Sequence, residues 1–201
     1  MLDPFYPVVP DAQWVDRLVP AGTRLIQLRI KEQPSEEIRR QVRQAKATCA
    51  AHGAQLIVND YWQEAIDEGC DYVHLGQEDL LEADVPALRR AGIRIGVSTH
   101  DHAELDKGLS IDPDYVALGP IYETLLKQMP FAPQGLDRIA EWKKLVGKRP
   151  LVAIGGLTLE RALLCLGAGA EIVAVVGAIV NHEDPIGQAR AWLAATRRGA
   201  S

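Results

Sequence analysis

Short apolar runs and longer amphipathic segments take turns along the whole of this chain. Eight runs read as strands: Phe5–Pro10, Arg24–Ile30, Gln55–Asp60, Tyr72–Gly76, Ile93–Thr99, Tyr115–Gly119, Leu151–Gly155 and Ile172–Val176. Several are continuously apolar, the pattern of strands covered on both faces. Helical segments lie between them. Ser35–His52 carries Ile38, Val42, Ala45 and Cys49 on one stripe, starts at Pro34-Ser35 and stops at Gly53. Asp84–Ala91, His102–Gly108 and Thr158–Gly167 are shorter, and Asp137–Val146 puts Ile139, Trp142 and Leu145 on one side. The last helix opens with Asp184 as N-cap and Pro185 in its first turn, and offers Ile186, Ala189 and Leu193 to the core. A first helix is expected near Ala12–Leu18.

Strand followed by helix, eight times over, is the pattern of a (β/α)8 TIM barrel, an α/β fold. At 201 residues the chain is short for that fold. One barrel domain spanning residues 1–201, with tight loops, is therefore expected. No glycine-rich dinucleotide fingerprint follows the first strand, so a doubly wound open sheet has no support.

Composition narrows the partners. The net charge of −5 and the lack of a Lys/Arg block argue against nucleic acid. No apolar run approaches a membrane span, and the N-terminus lacks a signal-peptide pattern, so a cytoplasmic protein without a membrane partner is expected. Cys49, Cys70 and Cys165 are odd in number, far apart and outside any CxxC pair. They read as buried thiols in a reducing compartment, not as a disulfide framework or a zinc site. The oligomeric state is not fixed by the sequence, and a homodimer stays open.

In such barrels the active site lies at the C-terminal ends of the strands. Along Leu25–Lys31, alternation puts Gln27, Arg29 and Lys31 on one face and Leu28 and Ile30 on the other. On an exposed edge strand those charges would simply be solvated. In a barrel wrapped by helices the row points into the mouth, where two fixed positive charges want an anion. The third strand ends in Asn59-Asp60, the fourth runs into Gly76-Gln77-Glu78-Asp79, and the fifth ends in Ser98-Thr99-His100. The sixth ends in Gly119-Pro120, followed by a long loop, Ile121–Gln134, containing Thr124 and Lys127. The seventh and eighth end in Gly155-Gly156 and Val176-Gly177.

Asp60 and Asp79 are oxygen donors on neighbouring strands, which suits a hard cation such as Mg²⁺ shared with a phosphate. An Asn-Asp pair alone is also an ordinary turn; beside Arg29 and Lys31 it gains weight as part of a diphosphate site. The glycines after strands seven and eight suit an anion held by backbone N–H groups, and read equally as tight turns. Together these features suggest two phosphate-bearing ligands facing each other across the mouth. His100 and His102 lack a third ligand at metal spacing unless Asp101 or Glu104 is recruited, so a supporting or helix-start role is expected. His74, inside an apolar strand, reads as a satisfied core residue, and the four tryptophans as packing.

These strand ends resemble the thiamine phosphate synthase family over nearly the whole chain. The matching motifs are Gln27-Leu28-Arg29-Ile30-Lys31, Val58-Asn59-Asp60, Val73-His74-Leu75-Gly76-Gln77-Glu78-Asp79 and Gly96-Val97-Ser98-Thr99-His100. They continue with Gly119-Pro120-Ile121-Tyr122, Lys127, Pro133-Gln134-Gly135-Leu136, Ala153-Ile154-Gly155-Gly156-Leu157 and Ala168-Gly169-Ala170. The resemblance implies an enzyme that joins hydroxymethylpyrimidine diphosphate to hydroxyethylthiazole phosphate, giving thiamine phosphate and diphosphate. It implies that Gln27, Arg29, Lys31, Asn59, Ser98 and Lys127 hold the pyrimidine and its diphosphate, with Arg29, Lys31 and Lys127 as catalytic charges. Asp60 and Asp79 would bind Mg²⁺, and Thr124, Gly156, Val176 and Gly177 the thiazole phosphate.

Three positions depart from the family. The usual Pro-Thr-x-Thr-Lys reads Glu123-Thr124-Leu125-Leu126-Lys127 here, and the usual Ser at 177 is Gly. Leu126 and Gly177 each remove a hydroxyl from the thiazole half, and Glu123 brings a negative charge. Glu-Thr in that loop also resembles the related thiazole tautomerases, but those carry a His where this chain has Pro120. A non-catalytic binder of a thiamine precursor is the third reading.

Overall fold

The computed structural model describes residues 2–123 and 131–198. All eight expected strands form: β1 (Phe5–Val9), β2 (Leu25–Leu28), β3 (Gln55–Asn59), β4 (Tyr72–Leu75), β5 (Arg94–Thr99), β6 (Tyr115–Leu118), β7 (Leu151–Ile154) and β8 (Ile172–Val175). They are parallel, follow one another in order, and close with β1 pairing both β2 and β8. The residues facing the lumen include Tyr6, Val8, Leu25, Ile57, Tyr72, Tyr115, Val152 and Ile172, which pack together as one core. The alternate residues, such as Ile26, Leu28, Val73, Val97 and Val116, pack outward against the helices as a second core. Two-faced burial is why these runs are apolar throughout.

The helices are α1 (Ala12–Leu18), α2 (Ser35–His52), α3 (Trp62–Asp67), α4 (Gln77–Glu82), α5 (Val85–Arg90), α6 (His102–Ser110), α7 (Gly135–Val146), α8 (Leu159–Gly167), α9 (Gly177–Val180) and α10 (Pro185–Arg198). Side chains of Asp11, Asp84, Asp101 and Thr158 cap α1, α5, α6 and α8. Gly53 ends α2 at φ 64°, a left-handed turn that costs glycine little. The sequence pattern does not reveal α3, α4 and α9, which are only 6, 6 and 4 residues long. Fewer than two turns cannot display a helical stripe. Strand β2 is also shorter than expected. Arg29 N–H still donates to Val9 C=O at 2.8 Å, but the chain leaves the ladder beyond it.

Among the described residues no helix is long and apolar enough to cross a membrane. The three cysteines are free and buried. A cavity of about 610 Å³ opens at the N-terminal end of the barrel, lined by residues including Asp3, Arg24, Gln55, Tyr72, Arg94 and Asp114. Its charges largely satisfy one another: Arg94 meets Asp71 at 2.7 Å, Asp114 meets Arg89 at 2.7 Å and Asp3 meets Arg197 at 2.8 Å. At the other end of the barrel, Asn59 Nδ2 is a buried donor without a partner among the described residues.

Candidate active site

The lumen is not wholly apolar. Near the C-terminal ends of the strands, Gln27, Asn59 and His74 are buried among the hydrocarbon side chains. Gln27 and His74 belong to a polar chain that crosses the barrel. Gln27 Nε2 donates to Tyr6 Oη at 2.7 Å, Tyr6 Oη lies 3.0 Å from Tyr115 Oη, and Tyr115 Oη lies 2.7 Å from His74 Nδ1. His74 Nε2 then lies 2.8 Å from Ser98 Oγ. With the Gln27 amide placed this way, one assignment gives every member a partner. Tyr6 donates to Tyr115, Tyr115 donates to His74 Nδ1, and His74 Nε2–H donates to Ser98. Gln27 Oε1 and the Ser98 hydroxyl proton are left without a partner among the described residues. One presents an acceptor and the other a donor.

Burial, reinforced by the nearby Arg29 charge, pushes the His74 pKa down to about 4, so the ring is neutral at pH 7 as the assignment requires. His74 is thus satisfied, as expected of a core residue, but it also forms part of the floor beneath Ser98. The Tyr115 ring passes directly over Gly96, where an added Cβ would sit 2.1 Å from it. Glycine at that position is what allows the tyrosine into the chain.

Above this floor stands the charged half. Arg29 is half-buried at the rim just past β2, and Lys31, two residues on, is exposed. Among the described residues neither forms an ion pair. Asp60 follows β3 at φ 64°, a left-handed conformation that aspartate tolerates better than most residues. Asp79 lies in the first turn of α4. The two carboxylates are close enough to interact directly. The Asp60 pKa is raised by burial and by the Asp79 charge, against opposing pulls from Arg29 and Asn59. Two half-buried carboxylates in mutual repulsion suit a divalent cation whose charge would relieve both. Asn59 Nδ2 is buried without a full hydrogen bond, a donor still to be matched.

The opposite half, around β6 to β8, is built from backbone. Gly155 and Gly156 turn at φ 102° and 65°. A Cβ on Gly156 would sit 2.3 Å from the Glu123 carbonyl oxygen, so the turn lies flat against the start of the loop after β6. Val176 and Gly177 are half-buried, and Gly177 begins α9. Among the described residues the N–H groups of Gly156, Leu157, Gly177 and Ala178 donate no hydrogen bond. Thr124, Leu126 and Lys127 lie outside the described residues. Glu123 is exposed.

His100 and His102 are occupied otherwise than as a metal pair. Glu104 Oε2 accepts from His100 N–H at 2.8 Å and lies 2.7 Å from its ring Nδ1, and the ring stacks on Phe131 at 4.4 Å. His102 opens α6 and meets Glu141 at 2.7 Å. Among the described residues no group of three His, Cys, Asp or Glu is placed to hold a metal. The members of the site that sequence reasoning does not single out are Tyr6 and Tyr115. They look like core aromatics, and their partners are too distant in the chain to suggest a link.

The profile of a family described as thiamine monophosphate synthase matches residues 6–179. The chain is 58% identical to a thiamine-phosphate synthase of Rhizobium etli over 195 residues, covering 97% of this chain and 96% of that protein. It is 46% identical over 190 residues to the thiamine-phosphate synthase of Neisseria meningitidis serogroup A, covering 94% and 93%. A solved thiamine phosphate pyrophosphorylase from Pyrococcus furiosus superposes with a TM-score of 0.87 at 22% identity, covering 100% of this chain and 98% of that one.

Proposed function

The chain belongs to the thiamine monophosphate synthase family, and we propose that its reaction, the coupling of hydroxymethylpyrimidine diphosphate with hydroxyethylthiazole phosphate, is performed at this mouth by charges on one half and backbone donors on the other. The observation that carries the reading is the juxtaposition of Asp60, Asp79 and Arg29 above a buried polar floor. Asp60 and Asp79 would hold Mg²⁺, which would supply positive charge to offset the charge of the diphosphate.

Gln27 Oε1 accepts from the amino group of the pyrimidine, and the Ser98 hydroxyl donates to the same substrate. Each is held in that role by the polar chain beneath it. Arg29, Lys31 and Lys127 bind the diphosphate, and Asn59 Nδ2 finds there the acceptor it lacks. As the bond from the pyrimidine methylene to the diphosphate oxygen breaks, the electron pair leaves with diphosphate. The methylene cation is stabilised by the electron-rich ring. The thiazole nitrogen then gives its lone pair to the methylene carbon and keeps the positive charge as thiazolium. No proton is lost, so no general base is needed. Negative charge builds on the leaving group, and preorganised cations there favour the transition state over the bound substrate.

On the other half, the N–H groups at Gly156 and Gly177 receive the thiazole phosphate, with Thr124 and Val176 completing the pocket. The buried free thiols accord with a reducing, cytoplasmic setting. The test is product formation from the two substrates with and without a chelator, and in Asp60→Ala. Removing a charge-stabilising group from such a site costs roughly a hundredfold to a thousandfold in kcat, and both chelation and Asp60→Ala are expected to lose at least that. Undiminished turnover in the variant under chelation would sink the metal assignment while leaving the coupling reaction itself intact.

A further inference from the structure

Three successive carbonyls at the end of β7 are held from one direction. Ile154 C=O accepts from Ile121 N–H at 2.9 Å, and Gly155 C=O accepts from Tyr122 N–H at 3.1 Å. Gly156 C=O accepts from the guanidinium of Arg161, in the first turn of α8, at 2.8 Å. That guanidinium lies over the Tyr122 ring, 4.6 Å from its centre. The arginine therefore joins the glycine turn to the loop that follows β6.

In a trans peptide the N–H points away from the C=O across the same plane. Fixing the Gly155 carbonyl fixes the Gly156 N–H, and fixing the Gly156 carbonyl fixes the Leu157 N–H. Both of these N–H groups donate to no described residue. The first is held by backbone alone, in a ladder-like bond. The second depends on one side chain. Without it, a peptide beside two left-handed glycines has little to keep it from rotating.

We propose that Arg161 is a positioning residue for the thiazole phosphate: by bonding Gly156 C=O from its platform on Tyr122, it orients the Gly156–Leu157 peptide so that Leu157 N–H joins Gly156 N–H as a donor to the phosphate. The proposal rests on the reading that the thiazole phosphate binds this turn. It also gives the half that lacks the hydroxyls of residues 126 and 177 a rigid pair of backbone donors. Arg161 acts through the peptide and does not touch the substrate.

The experiment pairs steady-state kinetics with the amide signals of Gly156 and Leu157 in ¹⁵N-labelled protein titrated with thiazole phosphate. In Arg161→Gln, KM for thiazole phosphate should rise about tenfold, the size of one hydrogen bond to a charged group. The kcat and the KM for the pyrimidine diphosphate should stay as in the parent, because binding lost equally from ground and transition states appears in KM. Arg161→Lys keeps a donor but not the flat stack on Tyr122 and should recover part of the loss. In the parent both amides should shift on titration, and in Arg161→Gln the Leu157 shift should shrink. If both amides shift in the parent but Arg161→Gln leaves KM unchanged, the role of Arg161 is overturned and the phosphate site stands. If neither amide moves in the parent, the site reading fails and takes the inference with it. Equal losses in kcat and in both KM values would mark Arg161 as merely structural.

Discussion

The two sides of the barrel mouth are made of different material. The β2 to β5 side presents side chains: Gln27, Arg29, Asn59, Asp60, Asp79 and Ser98, of which Gln27 and Ser98 are anchored by the polar chain through Tyr6, Tyr115 and His74. The β6 to β8 side presents peptide groups at glycine turns, anchored by Tyr122 and Arg161. On the proposed reading, the difference follows from what each ligand demands. A leaving diphosphate gains charge during the reaction, and only charged groups repay that development. A phosphate that stays attached throughout needs to be held, and backbone donors suffice for holding. Substitutions on the first side should therefore cost turnover, and substitutions on the second should move KM.

The largest expected effect in the comparison belongs to Arg29. Its fork can meet two diphosphate oxygens at once, which lysine cannot, so Arg29→Lys should lower kcat/KM by roughly a hundredfold. KM for thiazole phosphate should be untouched. Initial rates at varied concentrations of each substrate separate the two. An unchanged affinity for the pyrimidine diphosphate in Arg29→Lys would mean that the guanidinium points away from the mouth, and the division into two halves would lose its first member.

The two sides also differ in how well they can be read from the chain. Polar residues at the C-terminal ends of apolar strands are anomalous, so Gln27, Arg29, Asn59, Asp60, Asp79 and Ser98 stand out at once. The alternation of strands and amphipathic helices likewise discloses the barrel. Tyr6 and Tyr115 stay hidden because their rings belong in a lumen and only their hydroxyls carry the message, across 109 residues of sequence. Arg161 looks like any solvated arginine on a helix face. Gly155-Gly156 announces a turn, but which way its N–H groups face depends on contacts from other elements. Chemistry carried by side chains is legible, whereas chemistry carried by peptide orientation becomes so only once the fold is known.

A smaller effect is expected where the chain departs from its family. Leu126 and Gly177 stand where the resemblance implies hydroxyls for the thiazole phosphate. Restoring them as Leu126→Thr with Gly177→Ser should lower KM for thiazole phosphate and leave kcat nearly unchanged. Two hydrogen bonds of ~1 kcal/mol each amount to roughly thirtyfold if they add, and neighbouring bonds often add incompletely. A double variant that binds thiazole phosphate no better would show that the peptide donors already saturate the phosphate. The contrast between the halves would then be sharper still.

The smallest net effect concerns stability, because it sets two members of the charged side against each other. His74 has a folded pKa of about 4, below the ordinary histidine value of 6.5. As pH falls through 6.5 the unfolded chain takes up a proton that the folded ring refuses. This contribution is neutral above that pH and turns against folding down to pH 4, by at most about 3 kcal/mol. Asp60 has the opposite sign. Its folded pKa is raised by burial and by Asp79, so without metal the folded state takes up a proton at a pH where the unfolded aspartate is still ionised. Acidification therefore favours folding through Asp60 and disfavours it through His74 across overlapping windows. In metal-free protein the two partly cancel. Urea midpoints at pH 7.5 and pH 5 should separate them: His74→Gln should lose less stability on acidification than the parent, and Asp60→Asn should lose more. If both variants follow the parent between those pH values, neither group is held in the electrostatic setting described, and the polar floor and the carboxylate pair are not coupled to folding as their burial requires.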